Sequence, residues 1–298
     1  RPVDLHIQVL RRLGAAVVEN GGMIRASCGK LRGAEMFFQK RSVGATEQGI
    51  LAAVLAEGKT VLNGCACEPE IYWLCHYLTG MGAKIRIREN GCICIEGVEK
   101  LEAGDGCIPP DRIVAGTYMA AVAACGGSVY LQGVTPSLCR GFLDVFTGMG
   151  MDIRMEGEAM LVQMYHRPVN LHKICTGAYP DFPTDMQSMV LSVASVGEGT
   201  LILKEQIFEN RFKTVPWLKK MGADITLSGD SVLVKGVETL KGSEVYGEDL
   251  RGTAALITAG LAAQETTVIH DADYILRGYM DLCENLKGLG AEIEWENS

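Results

Sequence analysis

Several common signals are missing from this chain of 298 residues, and each absence removes a class of function. No CxxC occurs among its eleven cysteines, and its five histidines form no HxxxH or HExxH, so no structural zinc is expected. The odd cysteine count also speaks against a secreted disulfide framework, and the chain reads as a reduced, cytoplasmic protein. No apolar run reaches the length of a membrane span, and the amino end has no signal-peptide pattern, so no membrane partner is expected. Positive charge is short as well. With 28 Lys and Arg against 36 Asp and Glu, the net charge of −8 argues against nucleic acid held by general electrostatics. An anionic small molecule in a local basic pocket stays compatible with that balance. An initiating methionine is also absent, since the chain starts at Arg1.

What is present is a repeat. A helix-ending phrase recurs as LGAAV (13–17), MGAKI (81–85), MGMDI (149–153), MGADI (221–225) and LGAEI (289–293). Its glycines, Gly14, Gly82, Gly150, Gly222 and Gly290, are spaced by 68, 68, 72 and 68 residues. So steady a period means one supersecondary unit used several times. The first copy has only 13 residues ahead of its glycine, against about 40 in the others, so the chain is expected to be a fragment that begins inside a repeat.

The copy from Ser42 to Ile108 serves as a template. SVGATEQGILAAVLAEG predicts a helix stopped by Gly58, and KTVLNG a strand. EPEIYWLCHYLTGMG predicts a second helix with Pro69 in its first turn. AKIRIRENGCICIEG predicts two alternating strands around an Asn90-Gly91 turn. The pairs Cys65/Cys67 and Cys92/Cys94 fall in strand-like runs and read as buried thiols on one face. In the later copies the first helices are IVAGTYMAAVAACG, PTDMQSMVLSVASVG and LRGTAALITAGLA; the second are SLCRGFLDVFTGMG, RFKTVPWLKKMG and LRGYMDLCENLKGLG. Small apolar first helices should be buried on most sides and the more charged second helices nearer solvent, giving α/β units with internal helices and outer sheets. Pro109-Pro110 marks the expected junction between domains 1–109 and 110–298.

Overlaying the copies sorts the polar residues. Lys40, Arg112, Asp185, Asp249 and Arg251 fall at or just before the amino end of a first helix. Arg1, Asp4, Glu68, Arg211 and Arg277 fall at the amino end of a second helix, with Arg1 and Arg277 in the same register. Helix amino ends hold anions through free N–H groups and the helix dipole, and arginines there add bidentate recognition of phosphate and carboxylate. Each aspartate has an ordinary reading as an N-cap, and each arginine as a solvated side chain. Periodicity thus supports an anion-binding cleft and names no reaction.

Local phrases go further. RPVDLH (1–6), KRSVGATE (40–47), CEPEI (67–71), PDRIVAGT (110–117), FPTDMQ (182–187), IFENRF (207–212), DLRGT (249–253) and RGY (277–279) occur in that order. Together they resemble the UDP-N-acetylglucosamine enolpyruvyl transferases (1-carboxyvinyltransferases), over almost the whole chain. The resemblance implies two domains of three repeats each, an inside-out α/β barrel closing over a cleft, here incomplete at the amino terminus. It implies transfer of the enolpyruvyl group of phosphoenolpyruvate to the 3′-hydroxyl of UDP-N-acetylglucosamine, with phosphate released, as the first committed step of peptidoglycan synthesis. No metal or cofactor is implied. The sister enzymes that act on shikimate 3-phosphate share the fold but are not expected to carry RPVDLH or KRSVGATE.

By position, the resemblance assigns Arg1 and Arg277 to the phosphate of phosphoenolpyruvate, and Arg211 and Arg251 to its carboxylate. Asp185 matches the base at the sugar hydroxyl, and Asp249 a carboxylate in the proton steps at the methyl carbon. Arg1, Pro2, Val3, Asp4 and Leu5 match a strip lining the nucleotide; Lys40, Arg41, Ser42 and Val43 would bind uridine and diphosphate, with Ile207 against the sugar nucleotide. Glu68 and Arg112 match cleft positions without an assigned role. The chain departs from the family pattern at Arg41, Asp181, Gly252-Thr253 and Leu276. The family's general acid, a cysteine or in some members an aspartate on a loop, and a lysine–asparagine pair would precede RPVDLH, so the chain alone is expected to be inactive. The second domain is expected to keep its three units but expose a bare sheet edge. The first, with little more than half its units, is expected to be partly disordered or to compensate by dimerising, as a homo-oligomer through exposed edges.

Overall fold

The computed structural model describes residues 2–296, which divide between two compact units, 1–109 and 110–298. In the first unit, α1 (Asp4–Arg12) leads into the hairpin β1 (Ala16–Asn20) and β2 (Met23–Ser27). A full copy of the repeat follows: β3 (Glu35–Phe37), α2 (Val43–Ala53), β4 (Lys59–Asn63), α3 (Pro69–Gly80), β5 (Lys84–Arg88) and β6 (Cys92–Glu96). Its sheet runs β3-β4-β6-β5, with β3 parallel to β4 and the rest antiparallel. Asn90 (φ 60°) and Gly91 (φ 70°) make the left-handed turn between β5 and β6.

The second unit opens with α4 (Arg112–Cys125), β7 (Gly127–Gln132), α5 (Arg140–Gly148), β8 (Asp152–Glu156) and β9 (Ala159–Met164). The next copy is β10 (Lys173–Cys175), α6 (Gln187–Val196), β11 (Thr200–Lys204), α7 (Val215–Lys220), β12 (Asp224–Ser228) and β13 (Ser231–Lys235). Its sheet order, β10-β11-β13-β12, repeats that of the first unit. The last copy holds β14 (Leu240–Lys241), β15 (Glu244–Tyr246), α8 (Leu250–Leu261), β16 (Ala263–Gln264), β17 (Val268–His270) and α9 (Leu282–Gly288). The sheets are open and separate, of two to four strands. In the three-stranded sheet β7-β9-β8, β7 has no outer partner among the described residues, where β4 and β11 are paired by β3 and β10.

The repeated phrase is one backbone device used five times. Gly14, Gly82, Gly150, Gly222 and Gly290 all have φ between 95° and 104°, a region that L side chains rarely enter. The residue after each glycine turns its N–H back to the helix, as in Ala83 to Leu78 (2.9 Å) and Ala223 to Leu218 (3.0 Å). This is the Schellman closure, which satisfies a carbonyl at the helix end and aims the chain into the next strand.

Burial separates the two kinds of helix. All ten residues of α6 are buried, as are eight of α8 and eight of α4, and these three helices pack on one another inside the second unit. By contrast α5, α7 and α9 bury only two residues each, such as Phe142 and Phe146. Small residues allow the close approach. A Cβ on Gly116 of α4 would come within 2.6 Å of Met186 Sδ at the head of α6. The strands supply the outer wall, with Leu201, Leu203, Ile225, Val232 and Val234 buried against these helices. The fold class is α/β with internal helices, as the repeat implied.

Three expectations need correction. The helix α2 ends at Ala53, and Gly58 (φ 87°) shapes the turn into β4 instead of stopping the helix. Second helices start later than their apolar pattern, at Arg140, Val215 and Leu282: residues 136–139 form a turn ahead of α5, Pro216 cannot lie in the interior of a helix begun at Arg211, and Asp281 is left-handed (φ 50°). Cys65 and Cys67 lie in the connection from β4 to α3, whereas Cys92 and Cys94 are in β6 as expected.

Candidate functional site

In the second unit the heads of the internal helices are built differently from one another. Asp111 caps α4, its Oδ1 accepting from the N–H groups of Ile113 (2.7 Å) and Val114 (3.1 Å). Asp249 caps α8 in the same way, accepting from Gly252 N–H at 2.8 Å. Asp185 caps nothing. It sits in a 3-10 turn, Thr184–Met186, ahead of α6, and its carboxylate points at two arginines from other segments.

Arg211 Nη2 reaches Asp185 Oδ1 at 2.6 Å, and Arg251 Nη2 reaches Oδ2 at 3.3 Å. The guanidinium groups are mostly buried, with 11% and 15% of their side chains exposed, while Asp185 keeps 37%. Burial alone would push the Asp185 pKa up. The charges of Arg251 and Arg211, with their hydrogen bonds, outweigh it and hold the carboxyl below its ordinary 3.8. Burial likewise works against charge on Arg251, but Tyr279 and Asp185 keep it protonated. Two guanidinium groups against one carboxylate leave an excess of positive charge, and Arg211 Nε is a buried donor without a partner. Such a centre receives an anion, preferably a planar carboxylate or a phosphate.

The loop carrying Arg211 is pinned by Glu205, which is only 4% exposed. Glu205 Oε1 accepts from the N–H groups of Ile207 (2.8 Å) and Phe208 (3.0 Å), and Oε2 accepts from Thr184 Oγ1 (2.8 Å). One buried carboxylate thus ties the Ile207–Arg211 segment to the turn that presents Asp185. The Arg211 guanidinium lies 5.5 Å from the Phe208 ring centre. Arg251 Nη1 donates to Tyr279 Oη at 3.1 Å, and the hydroxyl of Tyr279 meets Thr117 Oγ1 at 2.9 Å.

Of the residues singled out from sequence in this unit, Asp185, Arg211 and Arg251 come together around one centre. Ile207 adjoins it through Glu205. Asp249 is occupied as an N-cap. Arg112 is the first residue of α4, next to the cap Asp111. Arg277 ends a 3-10 segment, Ala272–Arg277, five residues ahead of α9, and is exposed. Neither Arg211 nor Arg277 lies in the first turn of its helix, because α7 and α9 begin later than expected; the dipole argument therefore does not apply to them. Glu205, Thr184, Thr117 and Tyr279 were not singled out. The signals for them were a charged residue closing the apolar strand TLILK and the tyrosine of RGY.

In the first unit the candidates gather where α1, α2 and α3 begin. Ser42 caps α2, its Oγ accepting from Ala45 N–H at 3.3 Å, with Val43 the first helical residue. His6 Nδ1 lies 2.5 Å from Gln48 Oε1 and joins α1 to α2. Pro2, Val3 and Asp4 are exposed at the head of α1, and Leu5 packs on the core. Arg1 lies outside the described residues. Glu68 is the N-cap residue of α3; its side chain makes no cap bond, and Oε2 is buried without a hydrogen-bond partner. Burial, followed by repulsion from Glu70 and Glu68, raises the Glu47 pKa at this same end, with His6 opposing. Lys40 and Arg41 are exposed just ahead of α2, and Arg41 lines an open cavity of about 480 Å³ with Asn63, Asn90 and Cys92. All eleven cysteines are free thiols; burial pushes Cys65 and Cys139 up to about 12, which makes them inert.

This architecture is that of solved enolpyruvyl transferases. The enolpyruvyl transferase NikO from Streptomyces tendae superposes with a TM-score of 0.90, at 21% identity, over 99% of this chain and 72% of its own. EPSP synthase from Acinetobacter baumannii gives 0.75 at 21% identity over the same shares. Residues 1–286 match the EPSP synthase (3-phosphoshikimate 1-carboxyvinyltransferase) family. UDP-N-acetylglucosamine 1-carboxyvinyltransferase 2 of Caldanaerobacter subterraneus subsp. tengcongensis is 41% identical over 98% of this chain and 70% of its own length. The UDP-N-acetylglucosamine 1-carboxyvinyltransferase of Zymomonas mobilis is 43% identical over 99% and 69%. The chain belongs to the EPSP synthase family, on the branch of the UDP-N-acetylglucosamine 1-carboxyvinyltransferases.

Proposed function

We propose that this chain handles the substrates of UDP-N-acetylglucosamine 1-carboxyvinyl transfer: phosphoenolpyruvate gives its enolpyruvyl group to the 3′-hydroxyl of the sugar nucleotide, and phosphate leaves. The observation that carries this reading is the pair of buried arginines sharing Asp185, in a chain 41–43% identical to enzymes of that name. Arg211 and Arg251 would receive the carboxylate of phosphoenolpyruvate, with Arg277 at its phosphate. Asp185, an ionised carboxylate with a third of its surface open, would take the proton of the attacking hydroxyl. When an anion neutralises the two arginines, their hold on Asp185 slackens and its basicity rises, so substrate binding would itself prepare the base. Asp249 would act in the proton steps at the methyl carbon while capping α8.

In the first unit, Pro2 to Leu5, Lys40 to Val43 and Glu68 would bind the sugar nucleotide. In the second unit, Ile207 and Arg112 would be substrate contacts. The unpartnered Glu68 Oε2 supports a ligand donor there. The thiol-rich, disulfide-free chain is in keeping with a cytoplasmic enzyme of peptidoglycan synthesis, serving cell shape and division. The outer edge of β7 offers a place for copies of the chain to pair.

Parallel calorimetric titrations test the choice of acceptor. UDP-N-acetylglucosamine is expected to give saturable heat and shikimate 3-phosphate none. The reverse pattern would assign the chain to the sister activity.

A further inference from the structure

The hydrogens around Arg251 have only one consistent assignment. Thr117 Oγ1 donates to the carbonyl of Ile113 at 2.9 Å, so its single hydrogen is committed. At the 2.9 Å contact with Tyr279, Thr117 must then accept and Tyr279 must donate. The phenol oxygen is left to accept from Arg251 Nη1 at 3.1 Å. The order is Arg251 to Tyr279 to Thr117 to the first turn of α4. A guanidinium is planar, so fixing Nη1 also fixes Nη2, the atom that meets Asp185 at 3.3 Å. Tyr279 and Thr117 are 3% and 4% exposed, and no solvent competes for these bonds. The tyrosine ring also lies under the guanidinium, 5.7 Å from its centre to the Arg251 carbon.

We propose that the Tyr279–Thr117 relay sets the direction of Arg251, which makes Tyr279 a positioning residue of the anion centre. The relay joins three successive copies of the repeat, through α4, the head of α6, the first turn of α8 and the segment that follows α8. Arg211 has no equivalent: it meets the Thr184 carbonyl at 3.4 Å, and its Nε has no partner. One arginine is thus locked from behind, while the other rides on the loop that Glu205 ties down. The charged and titratable groups around this point are Asp185, Arg211 and Arg251, with Tyr279 and Asp111 behind Arg251. The part of the proposal that concerns substrate rests on the function argued above; the part that concerns Arg251 does not.

Tyr279→Phe keeps the ring and removes the hydroxyl. In the full chain, NMR titration of the Asp185 carboxyl should show its midpoint moving up toward the ordinary carboxylate value, since Arg251 is no longer aimed at it. Thr117→Val, which keeps the shape of the side chain, should move it the same way by less. Phosphoenolpyruvate, titrated in the presence of UDP-N-acetylglucosamine, should bind Tyr279→Phe about tenfold more weakly, as expected for the loss of one hydrogen bond to a charged group. An Asp185 midpoint that stays put in a folded Tyr279→Phe variant overturns the relay. If that variant does not fold, the Thr117→Val midpoint decides alone. If the unaltered chain binds neither ligand, the functional reading fails, while the midpoint comparison still settles the relay.

Discussion

Asp185 and Asp249 stand at the heads of neighbouring internal helices in successive repeats, yet they do different work. Asp249, like Asp111 two repeats earlier, bends back to the N–H groups of its own helix. Asp185 is released from that task because α6 is entered through a 3-10 turn, and its carboxylate meets Arg211 and Arg251 instead. The contrast teaches that in a repeat protein a function is found where one copy stops doing what the others do. Capping aspartates stabilise a helix from within one copy; Asp185 joins groups from three segments, and its partners leave charge to spare.

The contrast can be broken from several sides. The largest effect is expected from Glu205→Ala, which removes the buried acceptor shared by three part-buried donors and frees the loop that carries Arg211. Denaturant unfolding should show a loss of about 3 kcal/mol or more. Next, Asp249→Ala and Asp111→Ala should each cost about 1 kcal/mol as lost caps, insensitive to added phosphate. Asp185→Ala should behave otherwise: it leaves two mostly buried guanidinium groups facing each other, and phosphate should raise its melting temperature more than that of the unaltered chain. Equal phosphate responses in all three variants would erase the distinction.

Acidity sharpens it further. Because the folded Asp185 titrates below its ordinary 3.8, its contribution is fully present above that value and is lost as pH falls toward the lowered folded value. The stability gap between the unaltered chain and Asp185→Asn should therefore be constant near neutrality and close in acid. A gap that widened on acidification would contradict the pairing. The smallest expected effect concerns what the copies share. Gly82→Ala in the first unit and Gly222→Ala in the second, at φ of 97° and 95°, should each cost about 1 kcal/mol. Unequal costs would mean that the helix closures are not equivalent.

The repeat was legible because its cause is local: a glycine in a left-handed conformation and an apolar stripe are written in adjacent residues. Internal and outer helices were legible for the same reason, since the all-small composition of QSMVLSVASV can only be buried. Helix starts were not, and this misplaced Arg211 and Arg277; the helix-like pattern already begins in RFKT and LRGY, before the backbone enters the helix. The Asp185 centre was half legible. Its three charged members stood out as breaks in the apolar pattern, but nothing local distinguishes Asp185 from the capping Asp249. Tyr279, Thr117 and Glu205 stayed hidden because their meaning lies in pairings across as many as 162 residues of chain, which only the packing of the repeats creates.

The central claim is that Asp185, held between two arginines, belongs to a substrate site and is not a structural cap. Calorimetric titration of UDP-N-acetylglucosamine into the unaltered chain and into Asp185→Ala, side by side, tests it most directly. Saturable binding that weakens clearly in the variant is the predicted result. Equal binding by both chains, or no heat from the unaltered one, would contradict it.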